Sequence, residues 1–229
     1  VILPFEEQFY QEFNVPVTFV GHPLLDDPLP AAEKTLKGGI QDPPVIGLMP
    51  GSRDTEIMRL LPIMVDAADI LKRNLNNAKF VISQAGSVQR TLIANIVSKH
   101  PKWEPIEIIS GGVEKVFERC DAIIAASGTV TLQAAIYGTP MVIIYKVSPV
   151  SAWLGRAFIR VDHVGLVNLV AERELAPELL QNEATGVNIA RAILRMFEDQ
   201  SKLDRLRRQL FSLRDSLGGA GASQRVAEL

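Results

Sequence analysis

Apolar residues along the chain fall in short continuous runs, separated by stretches in which they recur at helical spacing. Val45 to Met49 is such a run, and it is followed by Ile57, Leu60, Leu61, Met64, Val65, Ala68 and Leu71, the one-sided stripe of an amphipathic helix. The unit then repeats. "AKFVISQAG" reads as a strand ending in small residues, "SVQRTLIANIVSKH" as a helix, "IEIISGG" as a strand and "VEKVFERC" as a helix. "DAIIAAS" is a further strand, a helix follows it, and Pro140 to Tyr145 reads as a buried strand. Buried strands alternating with helices predict an α/β fold: a Rossmann-like parallel sheet with helices on both faces. Such sheets bind ligands at the carboxyl ends of their strands, where the small-residue loops "PGSR", "SQAG" and "ASGT" fall and can converge.

The flanks are less regular. Val1 to Asp26 reads as a strand-like start, a helix over Glu6 to Phe13, a second strand "VPVTFVG" and a turn. The Pro-, Gly-, Asp- and Lys-rich text that runs on to Pro44 reads as a linker, with a domain boundary near Asp27. Beyond Tyr145 the alternation is expected to stop. Lys146, Trp153, Leu154, Arg156, Phe158, Ile159 and Arg160 mix basic with bulky apolar residues, and the final mixed-charge segment reads as an amphipathic packing helix. No solenoid period and no low-complexity segment is present.

Composition narrows the classes. The 229 residues carry a formal net charge of -2, which removes any bulk electrostatic reason to bind nucleic acid. Hydrophobic residues make up 47% and charged ones 22%, the balance of a chain that buries a sizeable core. The single cysteine, Cys120, excludes an internal disulfide, and its apolar flanks suit packing better than nucleophilic chemistry. No apolar run approaches the roughly 20 residues that span a bilayer. The start at Val1, without a methionine and directly in an apolar stretch, predicts that sequence precedes it.

Several residues carry candidate chemistry. Gly51 lets the backbone turn, Ser52 can cap the helix that follows, and Arg53 offers a bidentate fork for a phosphate or carboxylate. Glu56, three residues on, equally suits a capping box that leaves Arg53 solvated. Ser127, Gly128 and Thr129 sit at a strand-to-helix turn, where uncovered N–H groups and the helix dipole favour an anion; the same residues also fit an ordinary N-cap. Gln133, just inside that helix, is either a sugar-hydroxyl contact or an exposed amide. Asn168, alone in the apolar run "GLVNLVA", is either a satisfied buried amide or a ligand contact. The Gly-Lys-Ser/Thr of a nucleotide-triphosphate loop and the Gly-x-Gly-x-x-Gly of a dinucleotide fingerprint are both missing. His22 precedes a proline and is expected to help hold a tight linker; His100 and His163 have no partner at metal-ligand spacing. Asp162 and His163 are adjacent, a placement that points side chains apart.

Taken in order, "VILPFEEQFY", "VPVTFVGHPLLD", "IGLMPGSRDTEI", "AASGTVTLQAAIYGTPMVIIYKVSP" and "LVNLVAERELAPELLQ" resemble lipid-A-disaccharide synthase across nearly the whole chain. That family transfers a diacylglucosaminyl group from UDP-2,3-diacylglucosamine to 2,3-diacylglucosamine 1-phosphate, releasing UDP, on the two-domain GT-B glycosyltransferase architecture. The resemblance implies that Gly51, Ser52, Arg53, Ser127, Gly128 and Thr129 face the donor pyrophosphate, with Arg53 neutralising the departing UDP and no metal or cofactor required. Gln133 falls where the family more usually has a glutamate on the ribose hydroxyls. Asn168 matches an asparagine near the donor site, and Glu56, Lys146 and Gln181 match further polar positions.

The resemblance also implies that residues 1–27 end a first, acceptor-binding domain that is mostly absent, and that residues 28–229 form the UDP-sugar domain with its carboxy-terminal helices. The acceptor site and the general base would then lie outside this chain, so transfer by it alone is expected to be slow or nil. Lipid substrates give the stretch from Trp153 to Arg160 a reading as a membrane-surface contact beside that of a buried connection. The implied setting is the cytoplasmic side of a bacterial inner membrane, or an organelle in a eukaryote; a homodimer is implied as well. Two other readings stay open: a UDP-sugar epimerase of related fold, and a UDP-binding module or regulatory isoform without catalysis.

Overall fold

A computed structural model describes residues 1–27, 29, 38–100, 106–147 and 163–228. Its centre is a six-stranded sheet made of β1 (Val45–Met49), β2 (Lys79–Gln84), β3 (Glu107–Ser110), β4 (Ala122–Ala126), β5 (Met141–Tyr145) and β6 (Glu178–Leu180). All pairings are parallel, in the order β3-β2-β1-β4-β5-β6. The helices are α1 (Pro4–Glu12), α2 (Asp54–Asn74), α3 (Arg90–Val97), α4 (Glu114–Phe117), α5 (Val130–Ile136), α6 (Leu166–Ala171), α7 (Gly186–Phe197), α8 (Gln200–Ser216) and α9 (Ala222–Glu228).

The period of two along each strand builds two cores. Ile46, Leu48, Ile124, Val142 and Ile144 face the layer of α2, α3 and α7, whereas Met49, Ile123, Ala125, Met141 and Ile143 face α4, α5, α6 and α8. Full burial of each Leu or Ile side chain contributes about 1.5–3 kcal/mol. The predicted stripe of α2 is buried at every named position, from Ile57 to Leu71. Gly47 in β1 has a packing reason: a Cβ there would lie 2.9 Å from Ile123 and Val116 carbons and 3.0 Å from Cys120 Sγ. Cys120 is therefore a buried packing residue of this layer.

Three expectations are corrected. Residues 1–3 and 15–21 form no strand; they run extended beside each other, joined where Val20 N–H donates to Val1 O and the amino terminus to Thr18 O, and no described neighbour completes a ladder. The helix between them starts earlier than Glu6. Pro4 occupies its first turn, where no N–H is needed, and Glu6 accepts from the Ile2 and Leu3 N–H groups. Beyond Tyr145 the α/β alternation continues instead of stopping, through α6, the parallel edge strand β6 and α7. β6 is only three residues long and half-buried, too short to display a strand period.

The carboxy-terminal helices behave as amphipathic packing elements: α8 buries Leu203, Arg207, Leu210 and Leu213. Past it, the chain returns to the start. Asp26 accepts from the N–H groups of Gly221, Ala222 and Ser223 at 2.7–2.9 Å, and Arg225 donates to Val20 O at 2.8 Å. His22 Nδ1 accepts from Leu24 N–H at 3.1 Å and caps the turn Pro23–Leu25. The stretch from Trp153 to Arg160, and Asp162, lie outside the described residues.

Candidate functional site

Strand order fixes where a crevice must form. From β1 the chain moves outward to β2 and β3, and from β4 it moves the other way to β5 and β6. The loops leaving β1 and β4 therefore diverge, and the gap outside their carboxyl ends is the place where such sheets take a ligand. A cavity of 480 Å³ lies there.

All three small-residue loops reach it. Gly51, Ser52, Arg53 and Glu56 line it after β1, Ser83 and Ala85 at the end of β2, and Ser127, Gly128, Thr129, Val130 and Gln133 after β4. The first two loops are tied together by Ser87 Oγ, which donates to Ser52 O at 2.7 Å. Val113 and Leu166 complete the wall; they are ordinary apolar residues whose sequence context gives no sign of the role. A larger cavity, 650 Å³, lies between β6, α7 and α8, and none of the sequence-derived candidates lines it.

Neither loop is capped as its sequence suggests. The residue at the N-cap of α2 is Arg53, not Ser52, and no side chain bonds the first turn; at α5 the N-cap is Thr129, again without a side-chain bond. Ser127 Oγ donates to Val164 O at 3.3 Å and so is used elsewhere, and inside α5 Thr131 Oγ1 turns back to Gly128 O at 2.9 Å. The N–H groups of Gly128, Thr129 and Val130 meet no acceptor among the described residues. Open N–H groups at a helix start, beside a guanidinium, form an electropositive wall.

Arg53 is 76% exposed and pairs with Glu56 at 2.7 Å; Glu56 also accepts from Ser52 N–H at 3.2 Å. Gly51 makes this possible with φ +109, since a Cβ would lie 2.5 Å from Glu56 Oε2. Gln133 is half-buried; its backbone N–H donates to Thr129 O at 3.1 Å, and its side-chain amide bonds to no other described residue.

The remaining candidates sit away from the cavity. Asn168 is fully buried and fully engaged: Nδ2 donates to Ala176 O at 2.7 Å and Glu178 Oε1 at 2.8 Å, and Oδ1 accepts from Leu175 N at 2.8 Å and Ala176 N at 2.9 Å. Of its two readings the structure selects the satisfied amide. Lys146 follows β5, where its carbonyl accepts from Arg59 at 3.1 Å; Gln181 follows β6 and accepts from Val147 N–H at 3.3 Å. His163 Nδ1 stands 3.9 Å from Glu178 Oε1 and faces no described metal partner. Among the described residues no helix is long and apolar enough to cross a membrane.

A family model described as Lipid-A-disaccharide synthetase matches residues 1–224. Lipid-A-disaccharide synthase of Syntrophus aciditrophicus is 40% identical over 231 residues, an alignment that takes in 99% of this chain and 60% of that protein. The chain thus spans about 60% of the length of the curated relative it matches. Among solved structures, the S. aureus MnaA–UDP co-structure aligns with TM-score 0.60 at 14% identity, over 99% of this chain and 57% of that one. Sucrose-phosphate synthase from Thermosynechococcus elongatus gives TM-score 0.59 at 13% identity, over 100% and 56%. At such identities the likeness is one of fold, a parallel α/β sheet of the kind found in GT-B glycosyltransferases, and it takes in little over half of each of those chains. The chain belongs to the lipid-A-disaccharide synthetase family.

Proposed function

We propose that the cavity outside β1 and β4 is the UDP-sugar donor site of an inverting glycosyltransferase. The reaction is transfer of 2,3-diacylglucosamine from its UDP conjugate to 2,3-diacylglucosamine 1-phosphate, giving the lipid A disaccharide and UDP. One observation carries this reading: in a chain of this family, the loops at residues 51–53 and 127–129 line one cavity that joins open N–H groups to a guanidinium. The UDP in the S. aureus MnaA co-structure supports the nucleotide assignment by likeness of fold.

The acceptor hydroxyl oxygen attacks the anomeric carbon from the face opposite the leaving group. The bond from that carbon to the β-phosphate oxygen breaks, UDP departs with the electron pair, and the proton of the attacking hydroxyl passes to a general base supplied by the acceptor-binding part of the enzyme. Negative charge on the diphosphate grows as the bond lengthens, so Arg53 and the Gly128–Val130 amides stabilise the transition state more than the ground state. Gln133 is placed to bond the sugar or ribose hydroxyls. Asn168, Lys146 and Gln181 act from outside the cavity as positioning residues for the strand ends and α6. Residues 1–27 are assigned to the acceptor-binding part of the enzyme and residues 28–229 to the donor part; no described residue is assigned as general base. Contact with a membrane surface and a homodimer belong to the same reading.

Calorimetric titration of UDP into the 229-residue chain tests it, with Arg53→Ala as control. The expected result is binding that weakens at least about tenfold in Arg53→Ala, the scale of a lost charge-assisted bond. Equal affinity in both chains would reject the assignment of Arg53.

A further inference from the structure

Glu56 is an awkward residue for a diphosphate site. Its carboxylate is an acceptor only, and it lines the same cavity as the open N–H groups of the loop after β4. It also occupies the donors of the loop after β1. Oε2 lies over Gly51 and accepts from Ser52 N–H at 3.2 Å, while Oε1 holds Arg53 Nη1 at 2.7 Å. Within this cradle the carboxylate holds Ser52 N–H and Arg53, donors of the kind a phosphate oxygen takes.

We propose that Glu56 is an internal counter-anion of the donor site, displaced when a nucleoside diphosphate binds and re-seated when it leaves. This rests on the UDP-site reading above. Carboxylate and diphosphate cannot share Ser52 N–H and Arg53 without like-charge repulsion at contact distance, so binding exchanges one anion for the other. Glu56 lies in the first turn of α2, where a carboxylate swung outward still faces the positive end of the helix dipole. Arg53, exposed and otherwise unpaired among the described residues, is free to follow either partner. The exchange lowers affinity for UDP below what the cradle alone would give, and the return of Glu56 to Arg53 assists release of the product.

The test is calorimetry on the 229-residue chain, wild type against Glu56→Gln and Glu56→Ala, with uridine, UMP and UDP as ligands. Thermal melts confirm that the variants are folded. Removing the competing charge is expected to tighten UDP at least about fivefold in both variants, to tighten UMP less, and to leave uridine unchanged. UDP bound by wild type but equally or more weakly by the variants overturns the counter-anion role and leaves the nucleotide site standing; Glu56 would then hold Arg53 in its binding position. No UDP binding to any of the three chains overturns the nucleotide-site reading and the role of Glu56 together.

Discussion

Asn168→Ala separates a positioning residue from a ligand contact. Truncation strands two buried donors, the N–H groups of Leu175 and Ala176, which both use Asn168 Oδ1. It also removes the donor to Ala176 O and one of the donors to Glu178, whose carboxylate keeps the Val164 and Gly165 N–H groups at 2.7 and 3.0 Å. A buried group left unsatisfied costs about 1–3 kcal/mol, so the two amides set a loss of about 2–6 kcal/mol. Urea denaturation of wild type and variant reads this as a drop in midpoint at unchanged slope. A loss below about 1 kcal/mol would refute the reasoning, because it would mean that water or a backbone shift satisfies both donors. UDP affinity gives the complementary readout. A contact residue would lose affinity with its midpoint unmoved; Asn168→Ala is expected to lose stability first, and affinity only through movement of Leu166 at the cavity wall.

Gly51→Ala forces a side chain onto a φ of +109 and fills the cradle now held by Glu56 Oε2, so a phosphate can no longer enter it and UDP affinity is expected to fall, measurable by the same titration. Burial lowers the pKa of His22, outweighing the opposing charge of Glu6, so the neutral form is favoured in the fold. Its contribution is complete above the unfolded value near 6.5 and is lost as pH falls through the folded one; His22→Asn, which still accepts from Leu24 N–H, should flatten that part of the stability profile. The Asp26 carboxyl is held well below the usual carboxylate range by hydrogen bonds from Ser223, then Gly221 and Ala222. That contribution is present above the ordinary carboxylate value and lost on strong acidification; Asp26→Asn should raise amide exchange in 221–228 at neutral pH, and unchanged exchange would reject the tie.

The strands β1, β4 and β5 were legible because each is buried on both faces and reads as a continuous apolar run, such as Val45 to Met49 or Met141 to Tyr145, and β2 and β3 by their shorter apolar centres, Val81–Ile82 and Ile108–Ile109. α2 was legible because its stripe survives Pro62, whose missing N–H costs a bond to Met58 O without moving the buried face. β6 was not, since Glu178, Leu179 and Leu180 show no strand period and owe their conformation to pairing with β5. In the site, Gly51 to Arg53 and Ser127 to Thr129 carry local signals in their turn residues. Val113 and Leu166 carry none, because they reach the cavity by tertiary placement alone. The capping roles of Ser52 and Thr129 failed for a specific reason: Glu56 and the backbone conformation serve the first loop, and the second leaves its amides open.

The most direct test is a crystal structure of this chain grown with UDP. The diphosphate is expected in the 480 Å³ cavity, its oxygens within hydrogen-bond reach of Arg53 and of the Gly128, Thr129 and Val130 N–H groups, with Glu56 turned out of the Gly51 cradle. Nucleotide seated instead in the 650 Å³ cavity between β6, α7 and α8, with the loops after β1 and β4 empty, would contradict the account.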